Sequence, residues 1–251
     1  MKVRRHPVHA GLGPRVRVRP WAFDPGVVQL ALADQGIVPG VDEIRGWVDT
    51  LGTEDPARHA IRTGALFADA ADRFRTAGFD VIDTLALLRI DLDTVPRRGS
   101  RRRATSPLRA RRHVEAARVD RDAFGDPWGN DAGDLAEIRR ATPVHRARAR
   151  FAPGPDHHRR LVAFAITGAA AGHGYLQRLA VAPPSQGRGH GRALVLDSLA
   201  WMRSRRLGHG LVNTAVDNER ALALYESVGF RRLPERLVVM QLDLAAGAAG
   251  R

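Results

Sequence analysis

The feature that most constrains this chain is an internal repeat. Displacing the sequence by 151 positions lays Gln35-Gly36 over Gln186-Gly187, Gly40 over Gly191, Thr63 over Thr214, Ala70 over Ala221 and Gly78-Phe79 over Gly229-Phe230. Apolar positions follow in step, with Ile44 over Val195, Val48 over Leu199, Ile61 over Val212 and Phe74 over Tyr225. Further on, Thr84 to Leu92 is similar to Arg236 to Leu244 with one residue of slip. The identities are few, so coincidence is the competing reading. A true repeat has to present the same apolar faces twice, which leads to two related units built from similar elements.

The two copies are unequal. Little chain precedes the first apolar run, Val27 to Leu32, whereas the second copy has a long lead-in from Pro107. The expected organisation is a partial first unit over 1–96, a basic linker over 97–112, a complete unit over 113–244 and a flexible tail over 245–251. Arg97 to Arg112 reads as the linker because it is charged, bounded by Pro96 and Pro107, and lacks apolar periodicity.

Within the second copy, Ala132 to Arg140 has helical spacing and Val144 to Phe151 alternates as an antiparallel strand would. Leu161 to Thr167 and Tyr175 to Val181 read as buried strands. Gly189 to Arg206 reads as a helix, Leu211 to Val216 as a strand, and Glu219 to Val228 as a helix stopped by Gly229. Leu237 to Leu244 closes the series as a strand. The fold class is α+β: a mixed, mostly antiparallel sheet flanked by helices, with a smaller α/β unit at the N-terminal end.

Composition excludes several chemistries. The chain has 0 cysteines, so thiol nucleophiles, disulfides and thiolate metal sites are ruled out, and no metal is expected. Its longest apolar run, Leu161 to Ala171, is too short to cross a bilayer, and Met1 to Gly13 lacks the apolar core of a secretory signal. A cytoplasmic protein without a membrane partner is expected. The net charge of +13 rests on arginine, Lys2 being the sole lysine, and it is spread over the whole chain. The densest stretch, Arg97 to Arg112, has no aromatic residue to stack on a base, which favours a solvated linker over a nucleic-acid site. Attraction of anions, such as coenzyme phosphates or RNA, stays open for it.

The strongest local signal is Gln186-Gly187-Arg188-Gly189-His190-Gly191, after an apolar strand and before a long helix. Glycines remove the Cβ atoms that would hold a phosphate away, and successive amides at a helix N-terminus can converge on one anion. Each charge-assisted hydrogen bond of this kind contributes about 1.5–3 kcal/mol. Neither the dinucleotide fingerprint nor the P-loop pattern is present.

The loop resembles the coenzyme A pyrophosphate loop of GNAT acetyltransferases, Gln/Arg-x-x-Gly-x-Gly/Ala, in its expected place after the strand Leu176 to Val181. A second block, Asn213 to Phe230, resembles the other signature of that family, matched at Asn218, Ala221, Leu224, Tyr225, Gly229 and Phe230. The resemblance covers roughly Asp120 to Leu244 and is closest over Tyr175 to Phe230. It implies acetyl transfer from acetyl-CoA, as cosubstrate, to a primary amine of a small molecule or of a peptide or protein N-terminus.

Carried over residue by residue, the resemblance gives Leu179, Ala180 and Val181 to the pantetheine arm as an added strand, and Gln186, Gly187, Arg188, Gly189, His190 and Gly191 to the pyrophosphate, with Arg192 adding charge. Asn218 would touch the coenzyme near its thioester, and Tyr225 would donate a proton to the departing thiolate. The plainer roles are a helix N-cap for Asn218 and a core aromatic for Tyr225. Asn213 stands where ribosomal-protein acetyltransferases of the family carry a glutamate base. Without a carboxylate there, the chain should prefer amines already partly neutral, α-amines or amino sugars, because a lysine amine costs about 3 kcal/mol more to deprotonate at neutral pH. A water relayed through Asn213 or His173 is the alternative, although His173, between two glycines, reads first as an exposed turn residue, as does the pair His157-His158. Trp128 falls where the family builds its acceptor pocket, and Trp201 reads as core.

In the first copy, Val38 replaces the loop's Gly189, Pro39 removes an amide, Phe67 stands over Asn218 and Phe74 lacks the Tyr225 hydroxyl. That copy reads as structural, a division shared by tandem members of the family. Two other functions remain from the sequence: a non-catalytic acyl-CoA sensor or scaffold, and a basic RNA-associated protein. Either a monomer or a homodimer fits.

Overall fold

A computed structural model describes residues 12–21, 24–94, 105–126, 128–153 and 159–244. In chain order the elements are β1 (Val16–Trp21), β2 (Asp24–Leu32), α1 (Val41–Glu54), β3 (Ala60–Thr63), α2 (Ala68–Thr76) and β4 (Asp80–Asp91). There follow β5 (Ser106–Pro107), α3 (His113–Phe124), α4 (Ala132–Arg140), β6 (Val144–Pro153), β7 (Arg159–Ala170) and β8 (His173–Val181). The chain closes with α5 (His190–Ser204), β9 (His209–Ala215), α6 (Glu219–Glu226) and β10 (Arg231–Asp243). The mixed sheets with flanking helices match the fold class expected.

The chain forms two compact units, which do not follow the division expected at the basic linker. One consists of Met1–Leu87, Ala215–Asp217 and Pro234–Arg251, the other of Leu88–Thr214 and Asn218–Leu233. The first unit therefore includes residues 234–243 of β10 from the far end of the sequence, and the second includes only the end of β4, residues 88–91, from the first half.

In the first unit, β1 and β2 form an antiparallel hairpin, β2 runs parallel to β3, and β10 lies antiparallel to β3 with Gln241 opposite Arg62. Its core gathers Leu30, Ile44, Leu51, Ile61, Leu66, Phe74 and Met240, all fully buried. In the second unit, β5, β6, β7 and β8 are antiparallel in sequence, β9 runs parallel to β8, and the end of β4 lies beside β9, where Leu92 N donates to Gly208 O at 3.1 Å. Its core joins α3 and α4 to the sheet through Ala116, Leu135, Ala149, Phe164 and Ile166.

The repeat is visible in geometry. The residues at the end of α2 and α6 build the same turn: Phe79 N donates to Phe74 O and Phe230 N to Tyr225 O, both at 3.1 Å. Gly78 and Gly229 supply φ values of +101° and +103°, a region that side chains with a Cβ rarely enter. Each turn brings its two aromatic rings into contact, edge-on with centroids 5.1 Å apart for Phe74–Phe79 and tilted with centroids 5.7 Å apart for Tyr225–Phe230.

Several sequence expectations change. Helix α3 was not anticipated. The C-terminal part of the expected linker is ordered: Ser106 and Pro107 pair with Ala149 and Arg148, Leu108 is buried, and Thr105 accepts hydrogen bonds from Arg148. Strand β10 begins at Arg231, six residues before the apolar stretch that announced it, because exposed charged residues can occupy a strand on its solvent face. The tail at 245–251, the pair His157-His158 and the arginines at 97–104 lie outside the described residues.

Candidate active site

The site in the second unit grows from one departure from sheet regularity. Strands β8 and β9 keep parallel register only over His173↔His209, Gly174↔Gly210 and Tyr175↔Leu211. Beyond that point β8 runs on to Val181 and β9 to Ala215 without pairing to each other. A bulge coincides with the parting: Ile166 faces Arg178 while Thr167 faces Leu176, which leaves Gln177 as an extra residue. Its side chain is used locally, Nε2 donating to Ile138 O of α4 at 2.8 Å. The outcome is a strand whose edge at Leu179, Ala180 and Val181 is open on the β9 side and held by β7 on the other.

At the end of that strand the glycine loop turns into α5. Gly187 has φ +72° with open space about it, so conformation alone requires glycine there. Gly189, at φ +76°, is the N-cap of α5 and offers no side-chain oxygen to the first turn. Ala193 N donates to Gly189 O at 3.1 Å, and the amides of a helix's first turn find no carbonyl one turn back along the helix. Gln186 braces the loop, Nε2 donating to Val181 O at 3.1 Å. This engages one of the backbone groups expected to meet a pantetheine arm. Arg150 of β6 reaches the same region, Nε to His190 Nδ1 at 3.3 Å. Arg188 is exposed beside it. Arg192 points elsewhere: its Nη1 donates to Ser227 Oγ at 2.7 Å and Ser227 O at 3.2 Å, tying α5 to the end of α6.

Helix α6 carries the remaining residues. Asn218 is its N-cap, Oδ1 accepting from Ala221 N at 3.1 Å, which is the plainer of the two roles expected for it. Tyr225 is 5% exposed and packs on Phe230. Burial raises its phenol above the ordinary value of 10.0, and the positive charge of Arg178 works against that rise. The hydroxyl is therefore a protonated donor at neutral pH. Asn213 lies exposed on β9, after the strands have parted. Trp128 is half-buried in the turn between α3 and α4.

His173 is no exposed turn residue. It opens β8, half-buried and stacked on His209 with centroids 5.8 Å apart, and six residues of strand, roughly 20 Å, separate it from Leu179. Trp201 is buried in α5, as expected. Among the described residues no cluster of three or more metal-ligating side chains occurs, and no helix is long and apolar enough to cross a membrane.

Sequence reading missed a buried ionic network. Asp120 of α3, 0% exposed, accepts from Arg178 Nε at 2.8 Å and Nη2 at 2.6 Å, and from Asn130 N at 2.8 Å and Nδ2 at 3.1 Å. Arg178 Nη2 also donates to Trp128 O at 2.8 Å, and its guanidinium lies 3.5 Å over the Phe124 ring. A charged residue amid the apolar strand Leu176 to Val181 was the available signal, since buried charge needs a partner. The partner was hidden because α3 was not seen.

Comparison with known proteins agrees with this geometry. Residues 118–230 match the acetyltransferase (GNAT) family. A mycothiol acetyltransferase of Rhodococcus jostii is 34% identical over 131 residues, covering 47% of this chain and 42% of that protein. One from Acidothermus cellulolyticus is 43% identical over 67 residues, 25% of this chain and 20% of its own length. The chain thus matches less than half the length of these curated relatives. Among solved structures, a tandem GNAT protein from the clavulanic acid biosynthesis pathway superposes with TM-score 0.58 at 15% identity, over 90% of this chain and 77% of its own. A GCN5-related N-acetyltransferase from Sphaerobacter thermophilus gives 0.57 at 16% identity, over 91% and 75%. Both share the fold. Residues 118–230 are thus the part of the chain that is similar to the acetyltransferase (GNAT) family.

Proposed function

We propose that the protein transfers the acetyl group of acetyl-CoA to a neutral primary amine at the cleft between β8 and β9. The observation that carries this reading is the parting of those strands after Tyr175↔Leu211, with an uncapped helix N-terminus at the end of the open edge. The open edge of Leu179 to Val181 can add an extended amide chain as a further strand, and the amides from Gly187 to Gly191 can take its pyrophosphate. Arg150 and Arg188 add positive charge there.

The amine nitrogen attacks the thioester carbonyl, the C–N bond forms as the C–S bond breaks, and Tyr225 passes its phenolic proton to the departing sulfur. The proton released by the amine restores the phenol through solvent. With Asn213 in place of a carboxylate, the acceptor is an amine with a substantial neutral fraction, an α-amine or an amino sugar. The relatives' name, mycothiol acetyltransferase, accords with a small-molecule acceptor.

The first copy binds no coenzyme on this reading: α1 begins only at Val41, beyond Pro39, Phe67 caps α2 without a side-chain oxygen, and Phe74 has no hydroxyl. The test is release of coenzyme A thiol on mixing protein, acetyl-CoA and a panel of amines. The chain's 0 cysteines leave no background. Tyr225→Phe should lower kcat at least tenfold with little change in acetyl-CoA affinity. Tight binding without turnover on any amine would favour a coenzyme sensor instead.

A further inference from the structure

The chain has 2 tyrosines, and the reaction above uses one of them, Tyr225. The other, Tyr175, forms with Leu211 the last register pair before β8 and β9 part, so its backbone stands at the closed end of the cleft. The direction of its side chain follows from its neighbours. A Cβ added to Gly174 would meet Met202 Cγ at 2.6 Å, and one added to Gly210 would meet Met202 Sδ at 3.2 Å and Leu199 Cδ2 at 3.4 Å, so both glycines face α5. Alternation along each strand turns Tyr175 and Leu211 to the opposite face. Gln177, two residues on from Tyr175 and on the same face, donates to Ile138 O of α4, which identifies that face as the α3 and α4 side. Asn213, two residues past Leu211, is exposed on this same face of the other strand. Tyr225 belongs to the α5 side, because a Cβ at Gly191 of α5 would lie 3.2 Å from Leu224 Cδ2 of α6.

Tyr175 is half-buried, and among the described residues its hydroxyl has no hydrogen-bond partner. A coenzyme with its pyrophosphate at Gln186 to Gly191 runs its arm along Val181 toward Leu179, so its thioester leads toward the closed end of the cleft. Tyr175 stands four residues, about 13 Å of strand, beyond Leu179 in that direction.

We propose that Tyr175 is an acceptor-binding residue: its phenolic oxygen accepts a hydrogen bond from the attacking amine and, across the cleft from Asn213, aims the nitrogen lone pair at the thioester carbonyl from the α3 and α4 face. This rests on the acetyl-CoA reading above. The two tyrosines then divide the reaction between the faces of the sheet, Tyr175 holding the nucleophile and Tyr225 serving the departing sulfur. Orientation of this kind accelerates attack without removing a proton, which suits an amine that arrives neutral.

The experiment needs no knowledge of the acceptor. Its probe is S-(2-aminoethyl)-coenzyme A, an unreactive thioether that carries an amine just past the sulfur, and its control is S-ethyl-coenzyme A, which lacks the amine. Both are titrated calorimetrically into wild type and Tyr175→Phe, which keeps the ring and removes only the hydroxyl. A single hydrogen bond of this kind changes affinity by about two- to tenfold. The expected result is a threefold or greater loss of affinity for the amine thioether in Tyr175→Phe, with S-ethyl-coenzyme A bound as by wild type. Equal affinities in the two proteins, or an equal loss for both thioethers, overturns the proposal and leaves the coenzyme site standing. Failure of wild type to bind S-ethyl-coenzyme A overturns both this proposal and the acetyl-CoA reading.

Discussion

A Cβ added to Gly191 would lie 3.2 Å from Leu224 Cδ2 and 3.6 Å from Val181 Cγ2. The first turn of α5 is thus seated directly on α6 and on the end of β8, and these three elements carry the glycine loop, Tyr225 and the open strand edge. Alanine can be taken up by a small movement of the flexible Leu224 side chain. A branched residue cannot. Gly191→Val should destabilise the protein by about 1–3 kcal/mol, read by chemical denaturation, and weaken acetyl-CoA binding at least tenfold by displacing the loop. Wild-type affinity in that variant would contradict the seating described.

Gly174 is more tightly enclosed. An added Cβ would meet Met202 Cγ and Sδ at 2.6 Å, and Met202 is 0% exposed. Gly174→Ala should cost about 1–3 kcal/mol, and Gly174→Ala/Met202→Ala less than the sum of its parts, because the second change opens the space the first requires. Additive losses in denaturant unfolding would show that the two residues do not meet.

The sequence already disclosed what depends on local chemistry. The glycine loop, the α6 block and the matched turns at Gly78 and Gly229 all follow from residues adjacent in the chain. Helix α3 escaped because Arg112 to Arg121 hides a buried face, Ala116, Ala117, Val119 and Asp120, made of small residues and one carboxylate. Asp120 looks like a surface residue until Arg178 is set beside it by the fold. The division of the strands was illegible for a similar reason: the end of β4, residues 88–91, lies in the second unit and residues 234–243 of β10 in the first, and tertiary packing alone decides that.

That division has a consequence for fragments. A piece cut at 113–244 omits Leu88–Leu92, which lines β9 in the second unit, and retains Pro234–Asp243, which belongs to the first. It should show no cooperative thermal transition. A sharp unfolding transition at the temperature of the whole protein would contradict the unit boundaries.

His113 offers a pH test. Burial and the charges of Arg139 and Arg140 hold its imidazole below the ordinary value of 6.5. The folded state thus favours the neutral ring, so this contribution is complete above pH 6.5 and is lost as the pH falls through that value and below. His113→Gln should flatten the loss of Tm as the pH falls below 6.5. An unchanged slope would show that His113 does not contribute to it.

The central claim places a single coenzyme site at Gln186 to Gly191, and calorimetric titration with acetyl-CoA tests it most directly. The informative variant is Gly189→Val/His190→Pro, which copies Val38-Pro39 of the first half. Valine is strained at the φ of +76° held by Gly189, and proline deletes an amide at a helix position that otherwise tolerates it. Binding of one acetyl-CoA per wild-type chain, abolished in a variant that stays folded, is the expected result. No binding to wild type, or binding unaltered in the variant, would contradict it.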